Sequence, residues 1–290
     1  MDNISCEKFY NYLTNDNSYN GFIVYDCKSD EELAEFYQSV NDNPLGLLQN
    51  QYCIVTQNGD IVDRVVWNGT TIEHAGFKNI NNDYLGKIKP RNIHQELAFN
   101  MLQNDDITIK TLVGGFGTGK DFLMISNAID MIRHHKYDKI VWVRNNIEVH
   151  NTNPIGFLPD GLKEKLMPFA LPLADHLGGV TGLEIFMNQG KIEIQHLGFI
   201  RGRDIKNSII YCSEAENMTK EHIQLLIGRV GEGSSLWLNG DFKQVDGDVF
   251  RYNNGLNILI DKLKGNKHFG VVKLIKTERS ETAALADLLD

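Results

Sequence analysis

The chain has 290 residues, of which 42% are hydrophobic and 23% charged, with a formal net charge of −9. That is enough for one large packed domain or two modest ones, and the acidic balance excludes indiscriminate coating of nucleic acid while leaving room for a local basic face. No apolar run is long enough to span a bilayer, the start MDNISCEKFYNYL lacks the regions of a secretory signal, and Cys6, Cys27, Cys53 and Cys212 are too scattered for a disulfide or metal framework; reduced thiols and a cytoplasmic location are expected.

Residues 1–40 read as a small α/β piece. Phe22 to Tyr25 is an expected strand, and Ser29-Asp30-Glu31-Glu32 is a capping box opening a helix to about Val40. Residues 51–74 read as a three-stranded meander, because Asn58-Gly59 and Asn68-Gly69 separate β-rich runs. The stretch from Tyr84 to Pro90 reads as a linker, and a helix follows to about Leu102. This pattern predicts a small N-terminal region over 1–83 and a main domain over 84–290.

The main domain is built around Gly114-Gly115-Phe116-Gly117-Thr118-Gly119-Lys120-Asp121. The β-branched run from Ile107 to Val113 precedes it, and Phe122, Ile125, Ile129 and Ile132 follow at helical spacing. Strand, glycine-rich loop and helix form the context of a P-loop. Glycines let successive backbone N–H groups turn inward as an anion nest, and the helix N-terminus adds positive potential. Lys120 then reaches the outer phosphates of a nucleotide. The usual last position is Ser or Thr, whose hydroxyl binds magnesium; here it is Asp121.

Further strands are expected at Lys139 to Arg144, Lys191 to Gln195, Ser208 to Cys212, Ser234 to Leu238 and Val271 to Lys276, with helices at 159–176, 219–229 and 281–289 between and after them. Alternation of this kind predicts an α/β fold, a mainly parallel sheet with helices on both faces. Three segments belong with the loop. The strand Ile209 to Cys212 ends in Ser213-Glu214, where P-loop enzymes place a magnesium-holding Asp and then the acid that orients water. Gly240-Asp241 with Gln244 suits a γ-phosphate sensor. Arg144, Arg201, Arg203, Arg229 and Arg279 are available to stabilise phosphoryl charge. Gln95 offers both a donor and an acceptor, as the edge of an adenine ring requires. Arg201, Arg203 and Lys206 are the candidate patch for nucleic acid.

Together these segments resemble the PhoH family of P-loop ATPases. Gly86-Lys87-Ile88-Lys89-Pro90-Arg91-Asn92 with Gln95 is similar to the family's adenine-side motif, and Gly114 to Lys120 to its P-loop. Gly156-Phe157-Leu158-Pro159 and Arg201-Gly202-Arg203 match its G-F-L-P and R-G-R segments. Ser213-Glu214-Ala215-Glu216-Asn217 matches the D-E-A-Q-N box at Glu214, Ala215 and Asn217, and Gly240-Asp241 with Gln244 and Asp246 matches G-D-x-x-Q-x-D. Glu278-Arg279-Ser280 resembles an arginine motif near the end. The resemblance covers about 84–290. It implies a RecA-like core, ATP and magnesium as ligands, Glu214 and Gln244 as catalytic groups, Arg229 or Arg279 as fingers reaching a neighbour, a homo-oligomeric ring, and RNA or single-stranded DNA as partner.

Two positions depart reciprocally: Asp121 stands where the hydroxyl belongs and Ser213 where the Asp belongs. An exchanged magnesium site built from Asp121 and Ser213 is one reading. A module that binds nucleotide without hydrolysing it is the other.

Overall fold

The computed structural model describes residues 19–144 and 167–278. The expected helix at 281–289, Arg279 and the G-F-L-P segment lie outside the described residues. So does the first part of the helix expected at 159–176, whose described part is a 3-10 turn at Met167–Ala170 and a short helix, α4 (Leu171–Ala174).

The N-terminal region forms a four-stranded sheet in the order β1 (Phe22–Cys27), β2 (Tyr52–Gln57), β3 (Asp60–Trp67), β4 (Ile72–His74). The meander is as expected: Asn58 and Gly59 take φ of 53° and 85°, the left-handed pair that a tight two-residue hairpin requires. The α/β piece is not separate from it, because β1 pairs parallel to β2 through α1 (Asp30–Gln38). Ser29 caps α1 by accepting from Glu32 N at 3.2 Å, but the Glu32 carboxylate returns to Lys28 N, one residue before the reciprocal capping-box contact.

Residues 84–90 are not a linker. They contain β6 (Gly86–Ile88), paired antiparallel with β5 (Ile80–Asn82). Asn82 Oδ1 accepts from Tyr84 N and Leu85 N at 2.8 and 3.0 Å, so an Asx turn reverses the chain. Helix α2 (Ile93–Gln103) follows, capped by Asn92.

The main sheet has six strands, all parallel, in the order β12 (Phe269–Leu274), β7 (Ile109–Gly114), β11 (Ser235–Gly240), β10 (Ser208–Cys212), β8 (Lys139–Arg144), β9 (Ile192–His196). A parallel sheet is covered on both faces, so its strands must be apolar on both. Leu112, Trp142, Tyr211, Trp237 and Val272 face one layer, with α2 and α3 (Lys120–Arg133). Val113, Val143, Cys212, Leu238 and Val271 face the other, with α6 (Lys220–Ile227) and α8 (Gly255–Leu263). Helices α5 (Val180–Asn188), α7 (Asp248–Tyr252) and α8 were not anticipated from the sequence.

The N-terminal sheet shares the main core. Phe22, Tyr52, Ile54 and Val66 join the apolar cluster of Trp142, Tyr211 and Trp237. Asn50 Nδ2 donates to Lys267 O and Phe269 O, both at 2.9 Å, at the start of the edge strand β12. Gly21 lies so close to that strand that a Cβ would stand 1.7 Å from Val271 O. Only glycine permits this approach.

Candidate nucleotide-binding site

The glycine-rich loop leaves β7 at its carboxyl end and turns into α3. Gly117 and Gly119 take φ of 69° and 92°, conformations that other residues rarely adopt. Gly114 is constrained by space instead: a Cβ there would lie 2.5 Å from Leu274 O. Thr118 is buried, its hydroxyl donating to Gly115 O at 3.0 Å. Lys120 folds back over the loop, Nζ donating to Gly114 O at 2.6 Å and Gly115 O at 2.9 Å.

Strands β10 and β11 end beside the loop, as expected for ligand sites at the carboxyl edge of an open parallel sheet. A pocket of about 340 Å³ lies there, lined by Lys120, Asp121, Glu214, Glu216, Asp241 and Gln244, with Phe116 and Phe122 also on its wall. The expected loop, acids and sensor therefore meet in one place, though they are up to 130 residues apart in sequence.

Each acid is held differently. Asp121 Oδ1 accepts from the Tyr211 hydroxyl at 2.8 Å and from Asn239 Nδ2 at 2.6 Å. Burial and the Asp121 charge push the Tyr211 phenol well above its ordinary range, so it remains a donor. Glu214 has φ of 55°, a left-handed conformation uncommon outside glycine and asparagine. That corner turns its half-exposed carboxylate into an ion pair with Arg144, at the end of β8. Gln244 donates to Asp241. Burial first, then the charges of Glu214 and Asp241, raise the Glu216 carboxyl to about 7.

The profile of the family described as PhoH-like protein matches residues 87–286. This chain belongs to the PhoH-like family. Protein PhoH2 of Bacillus subtilis is 32% identical over 300 residues, which cover 96% of this chain and 66% of the relative. A second Bacillus subtilis relative, described as PhoH-like protein, is 31% identical over 61% of this chain and 56% of its own length. Protein PhoH2 of Mycolicibacterium smegmatis is 29% identical over 68% of this chain and 46% of its own length. The chain thus spans roughly half to two-thirds of the curated relatives it matches. The first of these similarities extends over the N-terminal region that the family profile leaves out. A crystal structure of Pif1 helicase from Candida albicans aligns over 70% of the chain at 15% identity, with a TM-score of 0.37; a likeness that distant carries no argument.

The PhoH-like site has a second layer behind its loop. The Gln95 carboxamide is engaged internally: Oε1 accepts from Arg91 N at 3.0 Å and Nε2 donates to Thr118 O at 3.1 Å. It ties α2 to the loop. Glu278 N donates to Gly117 O at 2.9 Å, and Glu278 Oε1 accepts from Asn92 Nδ2 at 2.8 Å, so the segment after β12 closes over the same loop. Sequence reasoning missed Tyr211 and Asn239, and nothing but their place at or near strand ends would have found them.

Two expected groups lie elsewhere. Arg229 precedes β11, at the opposite edge of the sheet, where Nη1 donates to Arg203 O at 3.2 Å. Arg203 pairs with Glu193 at 2.6 Å, and Lys139 joins the same carboxylate at 2.5 Å. Burial opposes ionisation of Glu193, but the two cations hold its carboxyl at about 2. Arg201 is exposed.

The family implies a divalent cation beside the phosphates. Among the described residues no group of three or more His, Cys, Asp or Glu side chains forms a metal cage. Magnesium needs none, since it is held through one or two protein oxygens together with phosphate and water. The donors suit it: Asp121 brings a carboxylate to the pocket, and Ser213 Oγ is buried with no hydrogen-bond partner.

Proposed function

We propose that this chain is a magnesium-dependent ATPase whose turnover is coupled to remodelling of RNA or single-stranded DNA. One observation supports this above the rest: Lys120, at the start of α3, and Glu214, in the turn after β10, line the same small pocket. The backbone nest and Lys120 hold the β- and γ-phosphates. Glu214 orients the attacking water and takes its proton, and Gln244 senses the γ-phosphate. Asp121 and Ser213 hold magnesium, which neutralises phosphate charge. Gln95 serves the adenine side by fixing Arg91 and Thr118. Arg229 and Arg279 act in a neighbouring copy of a ring, which agrees with Arg229 lying away from its own pocket. The exposed Arg201 and Lys206 contact the nucleic-acid backbone. The buried free thiols Cys27, Cys53 and Cys212 support a cytoplasmic location.

A second reading is binding without turnover. It is favoured by Asp121 being tied to Tyr211 and Asn239, and by Ser213 being buried rather than lining the pocket. Phosphate release from ATP with magnesium, with and without RNA or single-stranded DNA, separates the two. The ATPase reading expects turnover that Glu214→Gln lowers by about 10²–10⁴-fold and nucleic acid accelerates. ATP binding with no turnover in the wild type would establish the second reading.

A further inference from the structure

Four carboxyl groups line the nucleotide pocket: Asp121, Glu214, Glu216 and Asp241. Three are compensated by side chains. Asp121 has Tyr211 and Asn239, Glu214 has Arg144, and Asp241 has Gln244. Among the described residues, Glu216 has backbone donors only. It is 3% exposed, and its Oε2 accepts from Asp241 N at 3.1 Å.

Among the described residues, taken element by element, no cation pairs with it. Glu214 sits in the same turn with the Arg144 guanidinium upon it. The Cys212 thiol at the end of β10 feels the Glu216 charge, and Asp241 stands at the end of β11. Helix α8 contributes the apolar Leu256, and its cap Asn254 donates to Glu216 O at 3.0 Å. Asp246 is held by Asn217 at 2.9 Å. On the pocket wall with it are Lys120, folded onto its loop, and Asp121.

A fully ionised site would face an incoming polyphosphate with four negative groups. A buried carboxylate without a cation is expensive, whereas the neutral acid offers one O–H donor and a remaining acceptor. We propose that Glu216 is a neutral carboxylic acid when nucleotide is bound and donates its O–H to the terminal phosphate, so that the site takes up a proton together with the polyphosphate. This rests on the nucleotide-binding reading above. The coupling is reciprocal: the polyphosphate raises the acid's pKa, and protonation tightens the polyphosphate. The raised carboxyl, at about 7 without nucleotide, puts the change near neutrality.

Two measurements test this. The first needs no nucleotide. Carboxyl carbon NMR of glutamate-labelled wild type and Glu216→Gln should show one titration near neutral pH that the variant lacks. A Glu216 carboxyl ionising in the ordinary glutamate range, about 4.3, overturns the proposal. The second is calorimetry with a non-hydrolysable ATP analogue in buffers of different ionisation enthalpy. Wild type should take up protons on binding, and its affinity should fall above neutrality by up to about tenfold per pH unit. Glu216→Gln, which keeps shape and neutrality, should bind with no such uptake, leaving only the analogue's own titration. Identical pH profiles overturn the donor role. If the first measurement succeeds and wild type binds no nucleotide at any pH, the nucleotide reading itself has failed and takes the donor role with it.

Discussion

Asp121 Oδ1 accepts a hydrogen bond from the Tyr211 hydroxyl at 2.8 Å, and Asn239 Nδ2 donates to Asp121 Oδ1 at 2.6 Å and to the Tyr211 hydroxyl oxygen at 2.8 Å. The residue that replaces the loop hydroxyl is thus held by a hydroxyl from β10, two residues before Ser213. Hydroxyl and carboxylate still meet between the loop and β10, but Tyr211 provides the contact. Tyr211→Phe removes the donor while its ring can stay stacked on Trp142, now 4.6 Å away and 7° from parallel. We expect it to cost about 1.5–3 kcal/mol, the range for a hydrogen bond to a charged group, measured by urea unfolding.

The exchange at the magnesium site is tested by a double-mutant cycle. Asp121→Thr should weaken the magnesium dependence of turnover. Ser213→Asp should crowd two carboxylates together. Combined, they restore the usual ligand pair and should recover more activity than the single effects predict. Strictly additive effects would show that positions 121 and 213 do not share a metal.

Binding and chemistry should separate at Lys120 and Glu214. Lys120→Ala should lower ATP affinity by about a hundredfold or more, as when one partner of a desolvated charge pair is lost, with the fold intact by circular dichroism. Glu214→Gln should keep binding and lower turnover by about 10²–10⁴-fold. Equal ATP affinity for wild type and Lys120→Ala would move the nucleotide elsewhere.

Lys110 governs a pH dependence of stability. It is fully buried on β7, where Nζ donates to Leu102 O at 2.5 Å and Asn104 O at 2.7 Å, closing the end of α2. Burial lowers its pKa to about 7. Between that value and the ordinary lysine range, the unfolded chain binds a proton that the native state does not. Its contribution therefore makes stability rise with pH above neutrality, by at most about 1.4 kcal/mol per pH unit. Lys110→Met should abolish that part of the rise, read from urea midpoints at about pH 7.5 and about pH 9.5. An unchanged slope would mean that Lys110 does not titrate there.

The three cations proposed for nucleic acid should divide. Arg201→Ala and Lys206→Ala should each reduce the salt slope of RNA or DNA binding by about one. Arg203→Ala should instead lower the melting temperature, because Arg203 braces Glu193 on the edge strand β9. A triple variant with unchanged binding and salt slope would place the nucleic-acid path elsewhere.

Legibility in the sequence followed locality. The loop from Gly114 to Lys120, the hairpin at Asn58-Gly59 and the Ser29 cap were readable because glycine torsions and cap hydrogen bonds act over a few residues. The strand β6 was not, because its pairing depends on an Asx turn at Asn82 and on a partner strand that is only three residues long. Helix α8 was not legible although Asn254 caps it, because Asn253-Asn254-Gly255 reads equally well as a turn.

By itself the sequence determined the strand–loop–helix that cradles phosphate, the alternation that makes a parallel sheet, and the order of motifs shared with the PhoH-like family. Those are properties of spacing and residue type along the chain. Tertiary structure alone decided which side chains hold Asp121, that Gln95 braces the loop, that Arg229 lies at the far edge, and that Glu216 is buried in an acid-lined pocket. The physical reason is that hydrogen-bond partners and burial depend on which strand ends become neighbours. Strand order follows from the packing of the whole sheet, and no short stretch of residues encodes it.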